Sequence, residues 1–221
     1  HFDYSIQLEQ ALSEKNPEVL AEIDKINELA DIHYIRQKKP LGLGHAILCA
    51  KKHVGCEPFA VLLGDDIIFS EKPAIRQCIE WHEKKNASVI AVEEVAREMV
   101  SQYGIVDADP VESGLFKIND LVEKPPADKA PSNLGIVGRY VLTPEVFQEL
   151  EATKAGVGGE IQLTDALKGL NKRQKMYAWK FSGKRYDLGT KLDYLKANVE
   201  YALQRDDLKK EFGDYLKNLE L

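Results

Sequence analysis

Long apolar runs are missing from this chain of 221 residues. No uninterrupted hydrophobic stretch approaches the ~20 residues that span a bilayer. A signal peptide is not expected either, since the chain opens on His1-Phe2-Asp3 and turns at once into an amphipathic pattern. Cysteine is scarce: Cys49, Cys56 and Cys78 are odd in number and lack the spacing of metal ligands. They read as packing thiols of a reducing, cytoplasmic protein. Basic excess is also missing. With 30 Lys and Arg against 36 Asp and Glu, the net charge is -6, which argues against a general nucleic-acid or anionic-membrane surface. A phosphate ligand would then need a local cation or a bridging metal. Finally, no initiator Met precedes His1, so the expectation is a chain that starts within a longer protein, with the beginning of the fold outside it.

What is present is an ordinary soluble composition, 44% hydrophobic and 30% charged, enough for one core and hence one domain over residues 1–221. Leu8, Leu12, Leu20, Ile23, Ile26 and Leu29 recur at helical spacing, and Asn16-Pro17 divides them into two helices. A strand is expected over Ile32–Gln37, a helix over His45–His53, a helix from Pro73 to Lys85 and a strand from Ala87 to Val95. Short strands follow between Tyr103 and Leu142, with a helix start at Thr143-Pro144-Glu145 and another near Thr164. Met176–Phe181 alternates like a strand, and residues 188–221 form a C-terminal helical region. This alternation predicts an α/β fold with an irregular sheet extension in its second half.

Five constellations carry possible chemistry. Phe59-Ala60-Val61-Leu62-Leu63-Gly64 reads as a buried parallel strand, and Asp65-Asp66 follow at its carboxyl end, where ligands of open α/β sheets sit. A carboxylate there suits a divalent metal on a phosphate, or else merely caps the next helix. Arg36-Gln37 and Gly42-Leu43-Gly44-His45 offer a donor–acceptor amide and a backbone that approaches closely, or only a turn before a helix. Val122-Glu123-Lys124-Pro125 places an acid and a cation at a strand end, or a surface ion pair. Gly158-Gly159-Glu160 precedes Thr164-Asp165, which can cap a helix, whereas Glu160 has no evident structural duty. Arg185-Tyr186-Asp187-Leu188-Gly189-Thr190 supplies a second carboxylate to face Asp65, or another capped helix.

In order and spacing these segments, with Ala130-Pro131-Ser132-Asn133 and Val137-Gly138-Arg139-Tyr140, resemble the bacterial UTP–glucose-1-phosphate uridylyltransferases from His1 to Leu221. The resemblance implies a Rossmann-like nucleotidyltransferase fold, a mixed sheet flanked by helices, with the N-terminal strand segment missing. It implies that Gln37 and Gly42 hold uracil, and that Asp65 and Asp187 hold Mg²⁺. Gly104, Glu123, Asn133, Tyr140 and Glu160 would line the sugar site, and Lys124 would contact the sugar phosphate. Lys124 and Asp65 are the implied catalytic residues. The implied reaction joins UTP to glucose 1-phosphate, giving UDP-glucose and pyrophosphate, in a homo-oligomer (dimer or tetramer). A sister enzyme with another base or sugar, and a non-catalytic UDP-sugar-binding paralogue, remain alternatives. One departure stands out: the family's glycine-rich Gly-x-Gly-Thr-Arg loop has no counterpart here, so these 221 residues alone are expected to be nearly inactive.

Overall fold

The computed structural model describes residues 4–219. His1-Phe2-Asp3, and the last two residues of the C-terminal helical region, lie outside the described residues. Contacts divide the chain into two compact units, His1–Lys38 and Lys39–Leu221. The first contains α1 (Ile6–Lys15), whose N-terminus is capped by Ser5 Oγ on Leu8 N at 3.4 Å, and α2 (Pro17–Asn27), opened by its proline. The strand expected over Ile32–Gln37 does not form. Its residues have strand-like propensity, but no described strand offers them a ladder, and propensity without a partner does not make a strand.

The second unit runs α3 (Leu43–Cys49), α4 (Lys51–Val54), β1 (Phe59–Leu62), β2 (Asp66–Phe69), α5 (Ala74–Lys85), β3 (Ser88–Glu94), β4 (Gly104–Glu112) and β5 (Leu115–Glu123). It continues with β6 (Leu134–Leu142), α6 (Val146–Ala152), α7 (Leu163–Asn171), β7 (Met176–Lys180), β8 (Lys184–Asp187), α8 (Lys191–Ala202) and α9 (Lys209–Lys217). Six strands form one sheet in the order β1-β6-β3-β7-β5-β4, while β2 and β8 pair separately. Only β3–β7 is parallel in the larger sheet, so it is mixed, in agreement with the expected fold class. Pro110 falls on β4, at the end of this order, where a missing N–H costs least.

The period of two along β3 shows how the sheet is sandwiched. Ile90 and Val92 join the core cluster with Ile47, Phe147, Leu150, Leu163, Leu167 and Leu170, from α3, α6 and α7. Val89 and Ala91 join the opposite cluster with Ala74 and Cys78 of α5. Every one of these β3 residues is fully buried, as expected of a strand covered on both faces. α7 presents Leu163, Ala166, Leu167 and Leu170 at helical spacing to that core. Its N-cap is Gln162, whose side chain makes no capping bond, so neither Thr164 nor Asp165 serves as the cap, and Thr164 is buried instead.

One sequence reading is corrected by the sheet order. The run into Asp65 was expected to be a buried parallel strand. Among the described strands, β1 has only the antiparallel neighbour β6, and its burial alternates so that Leu62 is exposed.

Cys78 makes a pH prediction. Burial pushes its thiol up from 9.0 to about 12, against a smaller downward pull from the Arg139 charge. The unfolded thiol releases its proton first, so its contribution is whole below pH 9 and is lost as pH rises towards 12. By linkage this removes about 4 kcal/mol of stability. Urea unfolding between pH 8 and 11 is expected to show the decline, and Cys78→Ala to flatten it. An unchanged slope in that variant would count against the assignment.

Candidate active site

The residues after β1 are held by β6. Leu63 N donates to Gly138 O at 2.9 Å, and Gly138 N donates to Asp66 Oδ2 at 2.8 Å. Arg139 adds bonds from Nη1 to Leu63 O at 3.1 Å and from Nη2 to Asp66 O at 2.6 Å. Gly138 is needed for space: a Cβ there would collide with the Asp66 carboxylate and lie 2.7 Å from Leu63 Cβ.

This clamp separates two acids that look alike in the sequence. Asp66 is 6% exposed and accepts a second bond from Arg185 Nε. Asp65 is exposed, and its backbone oxygen accepts from Leu188 N at 2.8 Å. That bond places Asp65 beside the chain segment that follows Asp187. Asp187 itself lies opposite Asp66 in the β2–β8 register, and its Oδ1 accepts from Gly189 N at 2.9 Å. The segment around Asp187 is therefore a strand end, and the helix cap comes later, where Thr190 Oγ1 accepts from Asp193 N at 3.2 Å.

A cavity of about 180 Å³ opens beside these acids. Asp66, Gly104, Glu123, Tyr140, Arg185 and Asp187 are among its lining residues. Gly104 faces Glu123 across β4–β5, and a Cβ on it would stand 2.8 Å from Thr164 Oγ1 and 3.2 Å from Glu123 Oε2. Burial raises the pKa of Tyr140, and the Asp66 and Glu123 charges raise it further, so the phenol stays a neutral donor well into alkali. Lys124 directly follows β5 in a left-handed conformation (φ 44°), its N–H bonded to Tyr103 O at 3.0 Å. Its Nζ lies 3.8 Å from Glu123 Oε1.

Two sequence segments prove to be one structure. Gly44 N donates to Ile161 O at 2.9 Å, and Ile161 N donates to Leu41 O at 2.8 Å. Between these bonds sits Gly42, with φ 93°, where a Cβ would lie only 2.7 Å from Glu160 Cβ. Both the angle and the space exclude larger residues there. Glu160 is exposed and its Oε2 accepts from Gln162 Nε2 at 3.3 Å. Lys124, Asn133, Gly42, Glu160 and Asp65 are not among the residues lining the cavity. Asn133 is exposed, with its carbonyl bonded to Val95 N at 2.9 Å. Gln37 belongs to the first unit.

The nucleotidyl transferase family model matches residues 10–204. A UTP–glucose-1-phosphate uridylyltransferase of Bacillus subtilis (strain 168) is 49% identical over 220 residues, covering 99% of this chain and 75% of that protein. The chain belongs to the UTP–glucose-1-phosphate uridylyltransferases. Two solved relatives of this family agree in fold. A UTP-bound enzyme from Acinetobacter baumannii superposes with a TM-score of 0.89 at 41% identity, over 99% of this chain and 77% of that one. A UDP-glucose pyrophosphorylase complexed with UDP-glucose gives 0.82 at 43%, over 92% and 75%. Nucleotidyl transferases generally use a divalent metal.

The residues present fit such an ion. Among the described residues no cluster of three or more acids, histidines or cysteines is arranged as a metal site. Mg²⁺ does not require one, because it typically takes one or two carboxylates and completes its shell with water and substrate phosphates. Asp65, exposed, and Asp187, part-exposed, supply hard oxygen donors of that kind.

Sequence reasoning missed Arg185, Arg139, Glu93 and Tyr103. Arg185 Nη1 donates to Glu93 Oε1 at 2.7 Å and to Tyr103 Oη at 3.3 Å, and Nη2 lies 3.5 Å from Asp187 Oδ2. Burial opposes its charge, but the Tyr103 bond and the Asp66 and Glu93 carboxylates outweigh that and hold its pKa above the ordinary arginine range. The signal was present: Arg139 and Arg185 stand inside segments singled out for other residues.

Proposed function

We propose that the protein transfers the uridylyl group of UTP to glucose 1-phosphate, forming UDP-glucose and pyrophosphate. The observation that carries this reading is 49% identity to a named uridylyltransferase over 99% of the chain. The sister-enzyme and binding-paralogue alternatives are not favoured. The family match crosses both compact units, which supports one nucleotidyltransferase domain.

In this proposal Gln37 and Gly42 hold uracil, the latter by backbone approach at its glycine-only position. Gly104, Glu123, Asn133, Tyr140 and Glu160 take the sugar. The neutral Tyr140 phenol donates a hydrogen bond, and Glu123 accepts from a hydroxyl. Lys124 holds the sugar phosphate against UTP, offsetting the repulsion between two anions before they react. Asp65 and Asp187 are the ligands of Mg²⁺, which when bound supplies charge stabilisation to the phosphoryl oxygens. Little base help is needed, because a phosphate monoester is already ionised at neutral pH. Positioning and charge do the catalysis, as in phosphoryl transfer generally.

The protein is further proposed to be a cytoplasmic homo-oligomer. In support, α8 exposes Leu192, Tyr194 and Leu195, and no helix among the described residues is long and apolar enough to cross a membrane.

Calorimetry with UDP-glucose and Mg²⁺ tests the site, and pyrophosphate release from UTP and glucose 1-phosphate tests the chemistry. UDP-glucose is expected to bind, and ADP-glucose at least tenfold more weakly. Turnover is compared between this polypeptide and a form that also carries a Gly-x-Gly-Thr-Arg loop, with faster release expected from the second. Binding without turnover in either form would replace the enzyme by a UDP-sugar-binding module. Absence of binding would end the proposal.

A further inference from the structure

Arg185 is the hub of the acid cluster, and it lies on the cavity wall. Its guanidinium reaches Asp66 through Nε, Glu93 at 2.7 Å and Asp187 at 3.5 Å, with Tyr103 Oη at 3.3 Å. The Tyr103 ring adds a cation–π contact at 5.3 Å. These partners come from β2, β3, β8 and the turn before β4, so the arginine closes a site that no single element builds. Its side chain is 8% exposed, whereas that of Asp187 is 29% exposed. The arginine is thus fixed from the buried side, and Asp187 is shared with the open side.

Stapling of the small sheet explains part of this arrangement. A contact between Arg185 and Asp66 suffices for that purpose. It does not explain why the same cation also lies against Asp187, which has a separate partner in Gly189 N. Asp66 and Asp187 are direct neighbours in the antiparallel register, and directly opposed side chains of like charge repel. Without a cation between them, the pair would itself attract a divalent ion.

We propose that Arg185 is a positioning residue, the resident counter-cation of the Asp66–Asp187 pair, which keeps a divalent metal from settling there before nucleotide arrives. This rests on the uridylyltransferase reading, in which Asp187 is a metal ligand. Arg185 and the Gly138 N–H together occupy both oxygens of Asp66, whereas Arg185 engages Asp187 weakly, at the longer distance. A free metal ion therefore meets only the exposed Asp65 and a partly engaged Asp187. Tight binding requires phosphate oxygens from the nucleotide to complete the shell, as Mg²⁺ sites with one or two carboxylates generally do. The arginine thereby couples metal affinity to nucleotide occupancy, and it holds Asp187 in one orientation when the ion comes.

Mn²⁺ alone, followed by electron paramagnetic resonance and calorimetry, tests this without any turnover. The wild-type chain is expected to bind Mn²⁺ weakly, and at least tenfold more tightly with saturating UDP-glucose. Arg185→Met and Arg185→Lys are expected to bind Mn²⁺ alone at least tenfold and about threefold more tightly than wild type, with a smaller gain on adding UDP-glucose. A purely structural arginine would lower the melting temperature of both variants and leave Mn²⁺ affinity unchanged, and that result overturns the proposal. Should Arg185→Met fail to fold, Arg185→Lys, which retains the charge, decides alone. Failure of wild type to bind UDP-glucose with Mn²⁺ would instead sink the uridylyltransferase reading itself, so the two failures are distinguishable.

Discussion

Replacing Asp66 by alanine is expected to destabilise the fold by about 3–5 kcal/mol, whereas the same change at Asp65 stays within about 0.5 kcal/mol. The two acids are adjacent, so the contrast arises from burial and partners alone. Asp66 takes Gly138 N–H and Arg185 into its two oxygens at 6% exposure. Removing it leaves the Gly138 amide without its acceptor and takes from the buried guanidinium its most buried carboxylate, leaving Glu93 and Asp187. Asp65 is exposed, and the hydrogen bond recorded for it uses the backbone, which alanine keeps. Since a whole domain is stable by only about 5–15 kcal/mol, Asp66→Ala brings the protein near its limit. Ligand behaviour should divide the other way: folded Asp65→Ala is expected to lose most Mg²⁺-dependent UDP-glucose affinity. Urea unfolding and calorimetry on both variants measure the two halves. Equal destabilisation by both changes would contradict the separation of roles.

The second large effect is expected at Lys124, where stability and binding should move in opposite directions. A non-glycine residue at φ 44° carries left-handed strain of roughly 1–2 kcal/mol. Glycine relieves that strain but adds freedom to the unfolded chain, which takes back about 0.5–1 kcal/mol. Lys124→Gly is therefore expected to melt about 1–3 °C higher than wild type. It also removes the cation proposed for the sugar phosphate. Charged hydrogen bonds contribute about 1.5–3 kcal/mol, so affinity for UDP-glucose should fall tenfold or more. Lys124→Ala keeps the strain and loses the charge, so it should bind as poorly without the rise in melting temperature. A Lys124→Gly protein that melts lower and binds normally would refute both parts. Strain held at a residue that touches ligand is a recurrent mark of functional sites.

Much of the fold was legible because its strongest elements are local. The 3.6-residue spacing of Leu163, Ala166, Leu167 and Leu170, and the apolar run of β3, declare themselves within a few residues. The segments that carry the site were legible too, as short motifs in a fixed order. What stayed hidden depends on distant partners. β2 and β8 are four residues each and exist only as a pair. Asp65 and Asp66 differ only through Gly138, Arg139 and Arg185, which lie far along the chain. The joining of Gly42 to Glu160 likewise rests on two backbone bonds that no spacing announces. Ile32–Gln37 failed in the opposite sense, since it had the composition of a strand but no ladder.

The pairing of β2 with β8 joins the most distant residues of any strand pair in the two sheets. Closing so long a loop is entropically the most demanding of these pairings, and during synthesis it must wait for Asp187 to emerge. A two-stranded ribbon is also marginal by itself. Of the acids proposed to hold the metal, Asp187 thus sits on the ribbon that zips up last and frays first, and Asp65 immediately precedes it. Its amides should exchange with solvent long before those of β3, and the ribbon is expected to open while the six-stranded sheet stays shut.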